Sequence, residues 1–465
     1  MPLTFFNTYS RSREEFVPLE DGHVRLYTCG PTVYAPAHIG NFRAYIFEDI
    51  LRRYLKFKGY RVTQVMNLTD VDDKTIRDSK ARGISLNEHT RPFIDIFFRD
   101  IDRLNIERAE IYPRATEHIP EMVAMIKTLI AKGHAYESAG SIYYRVASFP
   151  RYGALSHMKL DQLIEGARVD SDEYAKETAS DFALWKAWSE DDGDVFWDTE
   201  LGRGRPGWHI ECSAMSMKYL GRSFDIHTGG VDNIFPHHEN EIAQSEAASG
   251  VKFVNYWLHC EHLIVEGRKM AKSEGNFFTI QDLIDKGHNP LAIRYLLLAT
   301  HYRQQLNFTA DSLAAAAGAI ARMRDFRDGI AEGKGIGLNP EVKAAADKGL
   351  RDFETAMDDD LNISPALGAV FDFIREVNSI KAKKGISEDD SRYLQQALRR
   401  IDGVLGVVYI QEQALDSEIE DLIQKRQEAR RAKNYAESDR IRKILDEMGI
   451  ILEDTPSGVR WKRKI

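Results

Sequence analysis

The 465-residue sequence has no stretch of about 18 apolar residues, which a membrane-spanning helix would need. Its first residues, MPLTFFNTYSRSREEF, lack the basic start and the apolar run of a secretory signal. The sequence also has no internal repeat and no long low-complexity segment. These absences argue against a secreted or membrane-spanning protein, and we expect a cytoplasmic one.

Cysteine is scarce as well, with only Cys29, Cys212 and Cys260 in the chain. Three widely spaced cysteines cannot form a disulfide framework, and a reducing compartment favours metal binding or simple burial for them.

A surplus of positive charge is missing too, because the formal net charge is −9. This argues against indiscriminate nucleic-acid binding, but it leaves room for a local basic face. From Asp421 to Ile465, twelve Lys and Arg residues stand against eight Asp and Glu residues. On charge alone, this segment could equally be a solvated helix face.

A βαβ pattern opens the regular part of the chain. HVRLYTC alternates apolar positions like a strand, FRAYIFEDILRRYLKFKGY has apolar residues at helical spacing, and YRVTQVMNLTD resembles the next strand. The pattern predicts a parallel sheet that binds ligands beyond the carboxyl ends of its strands. Cys29 and residues 67–70 would lie at that edge.

The α/β pattern is then interrupted and later resumes. Mostly helical patterns run to about residue 132, and an irregular section with one probable hairpin follows to about 204. The pattern resumes with a helix after Pro206 and Gly207, the strand SFDIH, a glycine turn at Thr228 to Gly230, the helix PHHENEIAQSEAASG and the strand VNYWLHC. Helix follows helix from about Asp311. The chain has 43% hydrophobic residues and a length of roughly three domains. We predict an α/β fold, in which a Rossmann-like parallel-sheet catalytic domain is split by an insertion and followed by an all-α C-terminal region.

Four residues form a candidate metal site. His237 and Glu241 are four residues apart and would share one helix face, and Cys212 lies early in the preceding helix. With Cys29 they supply two thiolates, an imidazole and a carboxylate, which suit zinc better than magnesium or calcium. His238 could equally be the ligand, and each cysteine could be a small buried side chain.

Four protein ligands are typical of a closed, structural zinc site. Catalysis would require a fifth ligand, or the release of the weakest one, which we expect to be Glu241. Since two thiolates and a carboxylate outweigh the charge of the metal, recruitment of a soft substrate ligand is favoured over the generation of hydroxide.

Two other segments predict a phosphate site. His38 and Gly40 lie at a helix start, where backbone N–H groups and an imidazole could face a triphosphate. Lys269 and Lys272 in RKMAKSEGN lie on a glycine-containing loop that could close over the same phosphates. These cations would stabilise the charge that develops as pyrophosphate departs.

These motifs resemble those of the class I aminoacyl-tRNA synthetases. HIGN is similar to the HIGH signature of that class and KMAKS to its KMSKS signature. CGPTVY, NLTDVDDK, GWHIECSAM and FPHHENEIAQ resemble the cysteinyl-tRNA synthetases in particular, and the resemblance extends through MDDDLN to the tail around MGIILEDTPSGVRWKRK.

The resemblance implies a role for each candidate residue. The implied zinc ligands are Cys29, Cys212, His237 and Glu241, which favours His237 over His238. The implied cysteine-binding residues are Gly30, Thr32, Thr69, Trp208 and His227. The implied ATP-binding residues are His38, Gly40, Asn41, Gly230, Asp232, Lys269 and Lys272, and among them His38, Lys269 and Lys272 are expected to be catalytic.

Three residues depart from the family pattern. Asn41 replaces the second histidine of HIGH, Ala271 replaces the middle serine of KMSKS, and Thr228 replaces a glycine. The first departure weakens the case for an essential second imidazole. The second removes a hydroxyl but leaves both lysines.

The resemblance also implies a division of the chain into six regions. They are a first catalytic half with the HIGH-type motif at 1–120, a connective insertion at 121–205, a second catalytic half at 206–255, a KMSKS-bearing stem-contact region at 256–310, a helical bundle that binds tRNA at 311–410, and a small basic anticodon-binding region at 411–465.

The implied reaction has two steps. The carboxylate of L-cysteine attacks the α-phosphate of Mg-ATP to give cysteinyl-adenylate and pyrophosphate, and a ribose hydroxyl at the 3′ end of tRNA(Cys) then takes the cysteinyl group. One zinc ion per chain would bind the substrate thiolate. The expected partners are tRNA(Cys), L-cysteine and ATP, with no membrane, and the expected state is a monomer.

Zinc would also account for selectivity. An apolar pocket distinguishes near-isosteres by only about 1 to 3 kcal/mol, and synthetases at that limit often add an editing site. The serine hydroxyl is far less acidic and much harder than a thiol, so it cannot imitate a thiolate on zinc. We therefore predict no editing activity, and an appreciable serine-dependent ATP–pyrophosphate exchange would contradict this prediction.

Two alternatives remain open on the sequence. One is an ATP-dependent cysteine ligase that acts on a small amino-sugar acceptor, which resembles the mycothiol-pathway cysteine ligase. The long helical rear of the chain argues against it, because such an acceptor does not require it. The other is a non-enzymatic nucleic-acid-binding protein with a structural zinc, which leaves His38, Lys269 and Lys272 unexplained.

Overall fold

The computed structural model describes residues 2–158, 180–271, 275–409, 415–431, 434–447, 450–455 and 458–463. The strands are β1 (Thr4–Asn7), β2 (Ser12–Glu15), β3 (His23–Thr28), β4 (Arg61–Met66), β5 (Ala135–Ser138), β6 (Ser141–Tyr144), β7 (Phe182–Ala187), β8 (Trp197–Thr199), β9 (Gly202–Pro206), β10 (Phe224–Gly230), β11 (Val254–Cys260), β12 (Leu263–Val265), β13 (Arg268–Lys269), β14 (Leu306–Phe308), β15 (Ile450–Thr455) and β16 (Gly458–Arg463). The described α-helices are α1 (Ile39–Phe57), α2 (Asp73–Arg82), α3 (Leu86–Arg103), α4 (Ile119–Ala131), α5 (Trp208–Leu220), α6 (Glu239–Ser249), α7 (Ile280–Asp285), α8 (Pro290–Leu298), α9 (Ala310–Gly329), α10 (Pro340–Asp358), α11 (Ile363–Lys384), α12 (Glu388–Leu405), α13 (Leu415–Arg431) and α14 (Tyr435–Glu447).

The central sheet has four parallel strands in the order β11-β10-β3-β4. β3, α1 and β4 form the predicted βαβ unit, and β10 and β11 extend the sheet on the other side of β3. The long chain between β4 and β10 therefore separates two halves of one sheet. This arrangement confirms the predicted parallel sheet with an insertion.

β10 is longer than the sequence analysis predicted. Thr228, Gly229 and Gly230 continue the strand and pair in parallel with Leu258, His259 and Cys260 of β11. A Cβ on Gly229 would lie 2.8 Å from the His238 ring, so only glycine allows β10 to continue next to that side chain. The expected glycine turn is thus the end of a central strand.

The insertion carries a five-stranded antiparallel sheet in the order β5-β6-β7-β9-β8. β5 and β6 form the predicted hairpin, in which Ala135 pairs with Tyr144. Three further strands occur where the sequence showed only an irregular pattern. The insertion is anchored to α2 by Asp73, which forms ion pairs with Arg205 of β9 at 2.5 Å and with Lys186 of β7 at 3.1 Å.

The rear of the chain is helical, as predicted, from α9 to α14. α10 packs on both α11 and α12, and the apolar side chains of these helices share one hydrophobic core with α1 and β3. After α14, β15 and β16 pair as an antiparallel hairpin, where the sequence analysis expected helices. Among the described residues, no helix is both long and apolar enough to cross a membrane.

Candidate active site and metal centre

The loops after β3 and β4 pack on each other at the carboxyl edge of the sheet. The Gly30 N–H donates to Asn67 Oδ1 at 2.9 Å, and the Thr69 N–H donates to the Pro31 carbonyl at 3.1 Å. A Cβ on Gly30 would lie 1.8 Å from the Asn67 carbonyl oxygen, so this approach requires glycine. Cys29 and Thr69 therefore lie at one edge, as the βαβ pattern predicted.

Cys29, Cys212, His237 and Glu241 meet beside this edge. One ligand atom from each lies within 4.8 Å of the other three. His237 Nε2 is 3.0 Å from Glu241 Oε1, which fits the predicted spacing of four residues along the chain. Cys212, His237 and Glu241 are buried, and Cys29 is partly buried.

A second group of potential ligands overlaps the first. Cys29, His227, His238 and Glu241 also have their ligand atoms within 4.8 Å of one another. However, His238 is already engaged, because its Nδ1 is 2.8 Å from His259 Nε2 and its Nε2 is 3.2 Å from Cys29 Sγ. Only the first group contains both thiols.

The first group fits zinc in two respects. Its two sulfurs, one imidazole nitrogen and one carboxylate oxygen are the donor types of zinc sites. Glu241 Oε1 is buried and forms no hydrogen bond among the described residues, although the His237 ring is close. A buried carboxylate oxygen without a hydrogen bond is the kind of group that a cation would satisfy.

The electrostatics of the group also favour ligand formation. A hydrogen bond from Cys29 lowers the pKa of Cys212 to about 6, and the same bond raises the pKa of Cys29. Burial works against the charge of Glu241, but His227 and His237 hold its pKa at about 2. These interactions favour the anionic forms of Cys212 and Glu241, which are the forms that bind a metal.

Aromatic and imidazole rings surround the candidate ligands. The Trp208 ring stacks on His237 with centroids 4.2 Å apart, and Trp208 keeps 43% of its surface exposed. His209 Nδ1 lies 2.9 Å from His237 Nδ1, and His227 Nε2 lies 3.0 Å from Glu241 Oε2. Trp208 and His227, two predicted cysteine-binding residues, are thus in contact with the candidate ligands.

The HIGN turn begins α1 with a reciprocal cap. His38 Nδ1 accepts a hydrogen bond from the Asn41 N–H at 3.2 Å, and Asn41 Oδ1 accepts one from the His38 N–H at 3.0 Å. Because Nδ1 is an acceptor, a neutral His38 carries its proton on Nε2. The backbone N–H of residue 41 therefore fixes the tautomer of His38, and the Asn41 side chain, which departs from the HIGH signature, caps the His38 N–H.

The segment around KMAKS lies against this turn. The Ile39 N–H donates to the Phe278 carbonyl at 2.9 Å, and the Met270 side chain lies next to Gly40. Asn276 closes the base of the loop, since its amide donates to the Lys269 carbonyl and its Oδ1 accepts from the Ala271 N–H. Lys272 lies outside the described residues.

A cavity of about 580 Å³ connects the two motifs to the metal centre. The predicted residues that line it are Cys29, Gly30, Thr32, His38, Gly40, Asn41, Thr69, Trp208, Cys212, Gly230, Asp232, His237 and Lys269. His227 and Glu241 do not line the cavity: the candidate ligand Glu241 contacts His237 from behind the wall, and His227 contacts Glu241.

Sequence reasoning missed several side chains of the site. His259 and Thr8 continue a hydrogen-bond chain from His238. The His262 ring lies 3.3 Å from the Asp232 carboxylate, and Glu48 is buried beside Thr228. None of them has a spacing that would reveal it, because they reach the site from separate parts of the chain: Thr8 from the turn after β1, Glu48 from α1, and His259 and His262 from the end of β11 and the residues after it.

Three family descriptions match successive parts of the chain. Residues 15–318 match "tRNA synthetases class I (C) catalytic domain", residues 352–409 match "DALR domain", and residues 412–461 match "Cysteinyl-tRNA ligase anticodon binding domain".

Similar curated proteins span the whole chain. A cysteine–tRNA ligase of Protochlamydia amoebophila is 49% identical over 100% of this chain and 98% of its own length. A cysteine–tRNA ligase of Brachyspira hyodysenteriae is 50% identical over 99% of each chain. Among solved structures, Mycobacterium tuberculosis methionyl-tRNA synthetase in complex with methionyl-adenylate shares the fold with a TM-score of 0.60 at 16% identity, over 83% of this chain and 90% of that one.

Proposed function

The chain belongs to the cysteinyl-tRNA synthetases of class I, and we propose that it activates L-cysteine with ATP at this cavity and transfers it to tRNA(Cys). The observation that supports this site is the meeting of two thiols, an imidazole and a carboxylate at the cavity that His38 and Lys269 also line. Cys29, Cys212 and His237 lie in its wall, and Glu241 contacts His237 from behind it. Cys29, Cys212, His237 and Glu241 would hold one zinc ion. When bound, zinc supplies a Lewis-acid position for the thiolate of the substrate, which the hydroxyl of serine cannot imitate.

The protein residues position the amino acid beside the zinc ligands. The exposed face of Trp208 and the Thr69 segment bound the cavity at the thiol end of the substrate. The Asn67 amide donates to Thr69 Oγ1 at 3.0 Å, and the Thr69 hydroxyl donates to the buried Glu211 carboxyl group, which fixes the Thr69 side chain at the cavity. These contacts hold the cysteine so that its carboxylate points along the cavity towards the HIGN turn.

The other end of the cavity binds ATP. His38 donates from Nε2–H to a phosphate oxygen, because Asn41 occupies its Nδ1. Lys269 lies in the cavity wall and neutralises charge on the phosphates, and Lys272 is assigned the same role from its motif.

Activation requires positioning and charge stabilisation more than covalent chemistry. A carboxylate oxygen of cysteine forms a bond to the α-phosphorus while the bond to the bridging oxygen breaks, and magnesium pyrophosphate departs with the electron pair. A ribose hydroxyl of tRNA then attacks the carbonyl carbon, and AMP leaves. No side chain of the protein serves as a nucleophile in either step.

The amino-sugar ligase is the weaker alternative. Residues 412–461 match an anticodon binding domain, which such an acceptor would not require. A cytoplasmic location and a monomeric state remain part of the proposal, and size-exclusion chromatography tests the second.

Zinc content and two reactions of the wild type and two variants test the proposal. Cys212→Ser should lose zinc and lose both cysteine-dependent ATP–pyrophosphate exchange and tRNA charging, because a serine hydroxyl does not replace a thiolate ligand. Cys260→Ser is the matched control and should retain zinc, since Cys260 lies outside both groups of potential ligands. Unchanged exchange after complete removal of zinc from the wild type would refute the role of the metal.

A further inference from the structure

Three hydrogen bonds connect the first strand segment of the chain to the candidate metal centre. Thr8 Oγ1 lies 2.8 Å from His259 Nδ1, His259 Nε2 lies 2.8 Å from His238 Nδ1, and His238 Nε2 lies 3.2 Å from Cys29 Sγ. The two imidazoles are buried, at 4% and 0% exposure. We call Thr8, His259 and His238 the Thr8 chain.

The backbone fixes both ends of the Thr8 chain. The Thr8 N–H donates to the Trp257 carbonyl at 2.8 Å, and the Trp257 N–H donates to Asn7 Oδ1 at 3.0 Å. These bonds hold Thr8 against β11 at Trp257, which is two residues before His259. His238 lies directly before α6, whose Glu241 belongs to the metal group. The hydroxyl and both rings therefore have little freedom to choose other partners.

The protons in this chain have only two possible orders. A single hydrogen fits between His238 Nδ1 and His259 Nε2, and each neutral imidazole ring carries one N–H, so two neutral rings allow two arrangements of the hydrogens. In the first order, Thr8 donates to His259, His259 to His238, and His238 to Cys29. The second order requires the Cys29 thiol to donate to His238 instead of to Cys212, and every bond then runs the opposite way.

The state of Cys29 selects between these orders. As a metal ligand, Cys29 is a thiolate and has no proton to donate. His238 must then present its Nε2–H to the sulfur, since otherwise two lone pairs would face each other at 3.2 Å. His259 must in turn present Nε2–H to His238, and the hydroxyl of Thr8 becomes the first donor.

We propose that the Thr8 chain orients an N–H donor onto the Cys29 sulfur and thereby raises the affinity of the site for zinc and for the substrate thiol, with Thr8 as its terminal positioning residue. This inference rests on the function proposed above. It assigns Thr8, His259 and His238 the task of positioning and gives them no contact with the substrate.

The charges of the site explain why such a donor is useful. Two thiolates and a carboxylate carry three negative charges against the two positive charges of zinc, and a substrate thiolate adds a fourth negative charge. Hydrogen bonds from neighbouring groups to metal ligands fix their orientation and distribute this charge, and their loss typically weakens metal binding. An N–H on Cys29 therefore favours the entry of a further anionic ligand.

Thr8→Val in the full-length zinc enzyme tests the proposal. Valine keeps the shape of threonine but removes the hydroxyl, so His259 Nδ1 is left without a donor. The arrangement in which His238 donates to Cys29 is then less favourable than in the wild type. We expect zinc affinity, measured by competition with a chelator, to fall about 3- to 10-fold. The KM for cysteine should rise by a similar factor, while the KM for ATP stays unchanged.

Two further variants separate positioning from a general structural effect. Thr8→Ser restores the hydroxyl and should return zinc affinity to the wild-type value. In His238→Gln, the side-chain amide can donate to Cys29 without a relay, so adding Thr8→Val to this variant should have no further effect on zinc affinity.

Several results would overturn the inference. They are equal zinc affinity in Thr8→Val and the wild type, failure of Thr8→Ser to restore affinity, and an undiminished Thr8→Val effect in the His238→Gln background. A rise in the KM for ATP that parallels the KM for cysteine would show a general structural effect instead. If the wild type binds zinc but activates cysteine equally well without it, the proposed role of zinc in cysteine binding is refuted. The zinc affinities of the variants still test whether the Thr8 chain strengthens metal binding.

Discussion

Glu48 is a carboxylic acid buried in α1 beneath the site, with 1% of its surface exposed. Thr228 Oγ1 donates to its Oε1 at 2.9 Å, and its Oε2 forms no hydrogen bond among the described residues. Burial raises the pKa of Glu48 to about 8. Thr228, which stands where the family pattern has glycine, thus supplies the hydroxyl that this carboxyl group needs.

This raised pKa predicts a pH dependence of stability. Glu48 ionises at about pH 4.5 in the unfolded chain and at about pH 8 in the folded protein. Between these pH values the folded protein therefore holds one proton more than the unfolded chain, on the Glu48 carboxyl group. The free energy of unfolding therefore decreases as pH rises through this window. Glu48→Gln removes that contribution, so the variant should gain stability relative to the wild type as pH increases from about 5 to about 8.

The melting temperature at several pH values in this window checks the prediction. Glu376→Gln, at an exposed position of α11, is the matched control and should leave the wild-type pH profile unchanged. A Glu48→Gln profile parallel to that of the wild type would show that Glu48 is ionised in the folded protein.

Among the elements, the MDDDLN turn between α10 and α11 connects the helical rear to the catalytic front. Asp358 accepts a hydrogen bond from the Tyr54 hydroxyl of α1 at 2.7 Å, and Asp359 pairs with Arg13 of β2. Asp360 is fully buried and accepts from the Phe6 N–H of β1, the Tyr302 hydroxyl and the Arg303 guanidinium. Three consecutive aspartates thus hold three different elements.

We predict a large stability difference between two neighbouring variants of this turn. Asp360→Asn leaves the Arg303 guanidinium without its buried partner and should cost about 3 to 5 kcal/mol. Asp359→Asn is the matched control and should cost about 0 to 1 kcal/mol, because its ion pair with Arg13 is exposed. Urea denaturation of both variants measures the difference, and equal costs would contradict the assigned role of Asp360.

At the scale of the whole molecule, the end of the chain has a small hydrophobic core of its own. Ile423, Ile441, Leu445 and Ile450 form a cluster that is separate from the two large clusters of the front and the helical bundle. No described residue beyond 409 lines the cavity. Parts of this basic segment, including Lys433 and Lys464, lie outside the described residues.

Removal of residues 410–465 should therefore separate the two steps of the reaction. Cysteine-dependent ATP–pyrophosphate exchange should persist in the truncated protein, because the cavity and both large cores remain. Charging of tRNA should be strongly reduced, since residues 412–461 match an anticodon binding domain. Parallel assays of exchange and charging check this, and loss of exchange in a folded truncated protein would contradict it.

The sequence by itself determined what depends on near neighbours. The change from alternating to helical apolar spacing predicted β3, α1 and β4, and the i,i+4 spacing predicted the contact of His237 with Glu241. These features follow from local backbone geometry. The motifs then indicated the family, which the comparisons confirmed.

The tertiary structure decided what depends on distant neighbours. Three strands of the insertion show no clear apolar alternation, and the terminal hairpin follows a helix-rich segment, so neither was predicted. These strands are stabilised mainly by pairing with neighbouring strands, which the local sequence pattern does not show. The Thr8 chain and the Glu48–Thr228 pair join residues more than 20 positions apart, at some steps more than 150. No spacing rule covers such pairs, since only the folded chain sets their distances.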